Sequence, residues 1–153
     1  MKRTTLIVLV LLGALTGDAW AGAAEEIAAI GPQRAKAFVE GNVDGLTEHF
    51  ADNAGFIGVI GGAYRVEGKQ AIRAYFAEFF KNYPHRNFVG RGAVTRVYAN
   101  ETVAIINSYA EITVADRGGN VTTYPYRASL VWMKLDGRWQ IVDVHNSLVP
   151  GAR

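Results

Sequence analysis

Asp136-Gly137-Arg138-Trp139-Gln140-Ile141-Val142-Asp143-Val144-His145-Asn146-Ser147 is the stretch that decides the fold. Asp-Gly is a strong signal for a tight hairpin, whose turn positions need positive φ. Beyond it the chain alternates. Trp139, Ile141, Asp143, His145 and Ser147 fall on one side, Val142 and Val144 on the other. The turn makes the preceding segment, Val121–Leu135, the antiparallel neighbour of this strand. Working outward, strands follow at Thr102–Ala115 and Phe88–Tyr98, joined through Arg117-Gly118-Gly119-Asn120 and Ala99-Asn100-Glu101. Long strands joined by short turns make an antiparallel meander. Several positions on both strand faces are apolar, so both faces are expected to be covered, one by helices and the other by a second subunit.

Upstream the pattern is helical. Ile72, Tyr75, Phe76, Phe79, Phe80 and Tyr83 recur at spacings of three and four until Pro84 stops them. A strand is expected at Gly55–Ile60, with Gly61-Gly62 and Gly68 leading into that helix. Before it, a short helix carries Leu46 and Phe50 and closes at Asp52-Asn53. Its N-cap is Asn42, and Gly41 ends the helix before. That first helix covers about Ala24 to Glu40. Gly31-Pro32 either kinks it or starts it. Helices first and strands last give an α+β layout.

Residues 1–21 read as a cleaved secretory signal. Lys2 and Arg3 form a basic start, Leu6–Leu15 an apolar run, and Ala19-Trp20-Ala21 a peptidase site before Gly22. The run is about half the ~20 residues a membrane span needs. Residues 22–153 are then a single domain in the periplasm or outside the cell, with no membrane attachment after cleavage. The sequence has no cysteine, so its core must stabilise it without disulfides. The formal charge of +2 falls to +1 once Lys2, Arg3 and Asp18 leave, which argues against a nucleic-acid surface.

Three stretches are similar to the nuclear transport factor 2-like superfamily. They are Glu67-Gly68-Lys69-Gln70-Ala71-Ile72-Arg73-Ala74-Tyr75-Phe76, Tyr126-Arg127-Ala128-Ser129-Leu130-Val131-Trp132, and the opening stretch through Ser147 to Pro150. Within that superfamily the chain resembles the SnoaL-like proteins and the bacterial proteins grouped with the calcium/calmodulin-dependent kinase II association domain. The resemblance implies a cone, with three N-terminal helices packed on a curved antiparallel sheet. It implies little about reaction, since the fold hosts isomerases, cyclases, dehydratases and oligomerisation modules. The association domain carries an arginine after its last-strand histidine, where this chain has Asn146, so that domain's anion pocket does not carry over.

Alternation supplies a candidate site. Asp143, His145 and Ser147 share a face on the last strand, Arg127 and Ser129 on the one before, and Asn107, Tyr109 and Glu111 on the next. In the implied cone, inward residues line the cavity between sheet and helices. Asp143 or His145 would be the general base and Tyr109 an oxyanion donor. Arg127 would hold a carboxylate or enolate, with Asn107 and Ser147 at the edge and Tyr75 and Phe79 as the apolar wall. The plainer alternative is that Arg127 bridges Asp143 or Glu111 and His145 anchors a strand end. Leu130, Trp132, Val142 and Val144 would then form the outer face. His49, His85 and His145 lack metal-ligand spacing, and no metal or other cofactor is expected.

Two functions follow. One is a homodimer binding a small, partly apolar, anionic molecule, with cofactor-free acid/base turnover if it reacts. The other is an oligomerisation module working through the outer sheet face.

Overall fold

The structure, a computed structural model, describes residues 22–60 and 65–150. The expected signal and the Gly61-Gly62 link lie outside the described residues.

The first helix, α1, spans Ala23–Glu40 and runs through Pro32. Ile27 and Phe38 are buried on its inner side, while Gly31 and Pro32 are exposed. Gly41 ends α1 in the left-handed region, and the Asn42 N–H returns to the Ala37 carbonyl at 2.8 Å. The Asn42 side chain then accepts from Gly45 N at 2.9 Å and opens α2, Val43–Thr47. That helix is shorter than expected. Phe50, placed on it by periodicity, instead starts β1, Phe50–Ile57. A two-residue strand, β2 at Val66–Glu67, precedes α3, Lys69–Asn82. It is too short to leave a periodic trace in sequence.

Four long strands complete the chain: β3 His85–Tyr98, β4 Val103–Ala115, β5 Val121–Leu135 and β6 Arg138–Leu148. The order across the sheet is β2-β1-β6-β5-β4-β3. The meander is antiparallel as expected, but β1 lies parallel to β6. Asp136 and Gly137 both adopt positive φ, 49° and 74°, in the β5–β6 turn.

The helices cover one face of the sheet. Ile27, Phe50, Ile72, Trp132 and Ile141 sit at its centre, each no more than 2% exposed. Arg86 of β3 ties the ends of α1 and α3 to the sheet. Its guanidinium donates to the carbonyls of Phe38 at 3.0 Å and Val39 at 3.1 Å on α1, and to Phe80 at 3.4 Å and Tyr83 at the end of α3. It also lies over the Phe80 ring.

Candidate functional site

Which side chains enter the cone is decided by one residue. Along β5 and β6 the pairing runs Lys134 with Trp139, Met133 with Gln140 and Trp132 with Ile141, then resumes with Val131 opposite Asp143. Val142 is the extra residue of a β-bulge. A bulge inserts one residue and reverses the in–out alternation beyond it. Trp139 and Ile141 are therefore buried against the helices, whereas Asp143, His145 and Ser147 face away. Uninterrupted alternation had placed all five together. Burying an acid, an imidazole and a hydroxyl without partners is unfavourable, and the bulge avoids it.

The β4 and β5 residues follow. Tyr109 pairs with Arg127, which pairs with Ser147; Asn107 pairs with Ser129, which pairs with His145. So Asn107, Tyr109, Arg127, Asp143, His145 and Ser147 do cluster, but on the outer face. Tyr75 and Phe79 lie on α3, inside the cone, and the sheet separates them from the other six. Conversely Leu130, Trp132 and Val144, expected outside, pack in the core.

Bonding on the outer face also differs from expectation. Arg127 bridges neither acid. Asp143 pairs with Arg65 at 2.9 Å and Glu111 with Arg91 at 3.5 Å. Arg65 also contacts Glu67, which stands opposite Gly55 on the neighbouring strand. A Cβ at Gly55 would collide with the Arg65 guanidinium and the Asp143 carboxylate, so glycine makes room for that pair. Asn107 donates to Ser129 Oγ at 2.9 Å and accepts from Arg96 at 3.3 Å. Exposed apolar groups stand among these charges: Val94 at 48%, Tyr109 at 58% and Met133 at 37%.

Inside the cone a cavity of about 30 Å³ lies between α1, α3 and the sheet, lined by Phe38, Phe56, Tyr75, Phe79, Tyr126 and Asn146 among others. Rings pack around it. Tyr75 lies 5.4 Å from Phe56 and stacks on Phe79 at 6.2 Å, centroid to centroid. The Tyr75 hydroxyl donates to the Ile60 carbonyl at 3.3 Å, and the Asn146 amide donates to the Ile57 carbonyl at 2.8 Å. Burial pushes the Tyr126 phenol up to about 12 and raises that of Tyr75. Both are neutral hydroxyls at physiological pH. Among the described lining residues there is no carboxylate and no imidazole, so the cavity can hold and orient a molecule by shape and neutral hydrogen bonds. Tyr126 and Asn146 are the lining groups that sequence reading missed. Each lies one position from a residue taken as inward, Arg127 and His145.

A wider depression, about 630 Å³, opens at the opposite end between α1, the start of β1 and the β5–β6 turn. Some of the polar groups in and beside it are already bonded. Trp139 Nε1 donates to Glu26 at 2.8 Å, Lys134 pairs with Glu26 at 3.5 Å, and Lys69 donates to the Glu48 carbonyl at 2.8 Å. His49, on its edge, is held below its ordinary pKa chiefly by burial.

The SnoaL-like domain family matches residues 27–151. Among solved structures, the chain is similar to a Xanthomonas campestris protein assigned provisionally as a calcium/calmodulin-dependent protein kinase II association domain. The two are 22% identical, with 86% of this chain and 91% of that one covered at a TM-score of 0.73. A nuclear transport factor 2-like superfamily protein of Salmonella enterica serovar Typhimurium is 20% identical over 86% and 94% of the two chains, TM-score 0.75. A provisionally assigned dehydratase of the NTF2-like family from Streptomyces avermitilis is 14% identical over 83% and 97%, TM-score 0.72. No curated protein matches. These likenesses agree with the α+β fold, and the chain belongs to the SnoaL-like domain family.

Proposed function

We propose that this chain is an exported binding protein that holds a small, partly apolar molecule inside the cone and works as a homodimer joined through the outer sheet face. The observation that carries the reading is the inner cavity, ringed by aromatic side chains with a few neutral polar atoms, the usual make-up of a small-ligand site. About 30 Å³ takes one or two water-sized groups. A larger ligand body therefore enters by displacing side chains such as Tyr75 and Phe79. Acid/base turnover by Asp143 and His145 is not part of this proposal, because both stand across the sheet from the cavity.

The test is native mass spectrometry of the protein purified gently from its host compartment. A dimer carrying a discrete small-molecule adduct is the expected result. Adduct-free protein, together with no thermal stabilisation by a panel of small aromatic compounds, would remove the ligand reading.

A second reading has its own support. Val94, Tyr109 and Met133 stand exposed on a sheet face that no helix of the described residues covers, and one similar structure is named for an association domain. On that reading the chain is a non-catalytic oligomerisation module. A ring larger than a dimer, with no adduct, would favour it.

A further inference from the structure

Arg34 of α1, half-buried, carries a charge with no counterpart among the described residues. Arg34 extends from α1 into the core, one helical turn before Phe38 of the cavity wall. Its guanidinium carbon lies 5.3 Å from the centre of the Phe50 ring and 5.8 Å from that of Trp132, two of the most buried side chains in the molecule. Arg34 Nε donates to the Leu46 carbonyl at a long 3.4 Å. Among the described residues its other four N–H groups meet no acceptor, and no carboxylate lies within ion-pair distance. Ring faces attract the cation but accept no in-plane hydrogen bonds.

The neighbours of Arg34 deepen the imbalance. Trp132 Nε1 is buried with no partner. His49 lies 6.0 Å from the Trp132 ring, and Tyr126 is close enough to couple electrostatically to Arg34. Tyr126 also lines the inner cavity. Burial lowers the Arg34 pKa only to about 10, so it stays cationic at neutral pH. A guanidinium and an indole N–H, with no acid beside them, form a donor-rich interior that lacks an acceptor.

We infer that the interior accepts the carboxylate of a small monoanion at the Arg34 guanidinium, with the Trp132 indole N–H and the Tyr126 hydroxyl as further donors and the ligand's apolar body against the cavity rings. A guanidinium offers paired N–H groups that match a carboxylate. One cation balances one negative charge, so a dianion is disfavoured in this interior. The inference rests on the ligand-binding reading above and names its ligand class. It moves the anion-holding role from Arg127, which faces outward, to Arg34.

Benzoate and its neutral isostere benzamide test it, by calorimetric titration of the purified protein at pH 7 and by nitrogen-15 NMR of the Trp132 indole and Arg34 side-chain signals. The expected result is at least tenfold tighter binding of benzoate, with both signals shifting on its addition. Arg34→Met is expected to erase the preference while benzamide still binds. Equal affinities for the two probes, with both signals unmoved, would overturn the carboxylate site and leave the pocket standing. No binding of either probe would overturn both. If Arg34→Met does not fold, the affinity ratio and the two signals in the unaltered protein decide alone.

Discussion

The inner and outer faces of the sheet are built from the same strands and differ in almost every other respect. Inside, Ala104, Ala110, Tyr126, Trp132, Ile141 and Val144 are all buried. Outside, one residue away along each strand, Tyr109, Arg127 and His145 meet solvent. The inner face is largely apolar, with charged side chains such as Arg86 and Lys134 reaching the helices at its margins. The outer face interleaves ion pairs, an Asn107–Ser129 hydrogen bond and exposed apolar side chains. Alternation makes such a contrast inevitable, but it does not say which residues belong to which side. A bulge decides that, and so decides which half of the sequence's chemistry enters the cone.

The contrast can be broken most severely by deleting Val142. Without the bulge, either Asp143 and His145 turn inward or β6 loses its register. Loss of the native far-UV circular dichroism signal is the expected outcome. Next is Trp132→Ala, which empties an inner position and is expected to lower stability by about 3–5 kcal/mol in urea unfolding. Its neighbour Met133→Ala, on the outer face, is expected to change stability by no more than about 0.5 kcal/mol. Similar losses at the two positions would mean that the faces are not so different. Tyr109→Glu addresses the outer face as an interface. In light scattering it is expected to convert a dimer to a monomer with an unchanged circular dichroism spectrum, and a mass unaltered from the native protein would move the interface elsewhere.

The smallest effect expected is a pH dependence at His49, beside the larger depression. His49 has its pKa lowered below 6.5, first by burial, with charge from Arg34 acting in the same direction against an opposing pull from Glu48. A depressed pKa in the fold means that the unfolded chain binds the proton more readily. Stability from this group is thus fully present above about pH 6.5 and is lost as the pH falls through the folded-state value. Thermal melting at pH 7.5 and pH 5 is expected to show that loss in the native protein and a smaller one in His49→Gln.

Much of this architecture was legible in the sequence because it rests on local rules. Asp136-Gly137 announced its turn through φ, Gly41-Asn42 the break between two helices, and Ile72 with the five aromatics up to Tyr83 the inner face of α3. The site was legible in part. Six residues were correctly grouped, because cross-strand neighbours depend on register, and the turns fix register. They were assigned to the wrong side because the Val142 bulge depends on packing between strands and leaves no mark in composition. Arg34 was missed for a related reason. An arginine on an amphipathic helix reads as a solvated residue, and only the tertiary structure reveals rings around it and no acid beside it.

Arg86 carries a consequence for motion. One side chain takes up carbonyls from the last turns of α1 and α3, which are distant in sequence and would otherwise fray independently. With a shared tether, opening one end releases bonds at the other. Amide protons in the two terminal turns should then exchange with solvent at rates that rise and fall together, so that this end of the molecule loosens as a single unit.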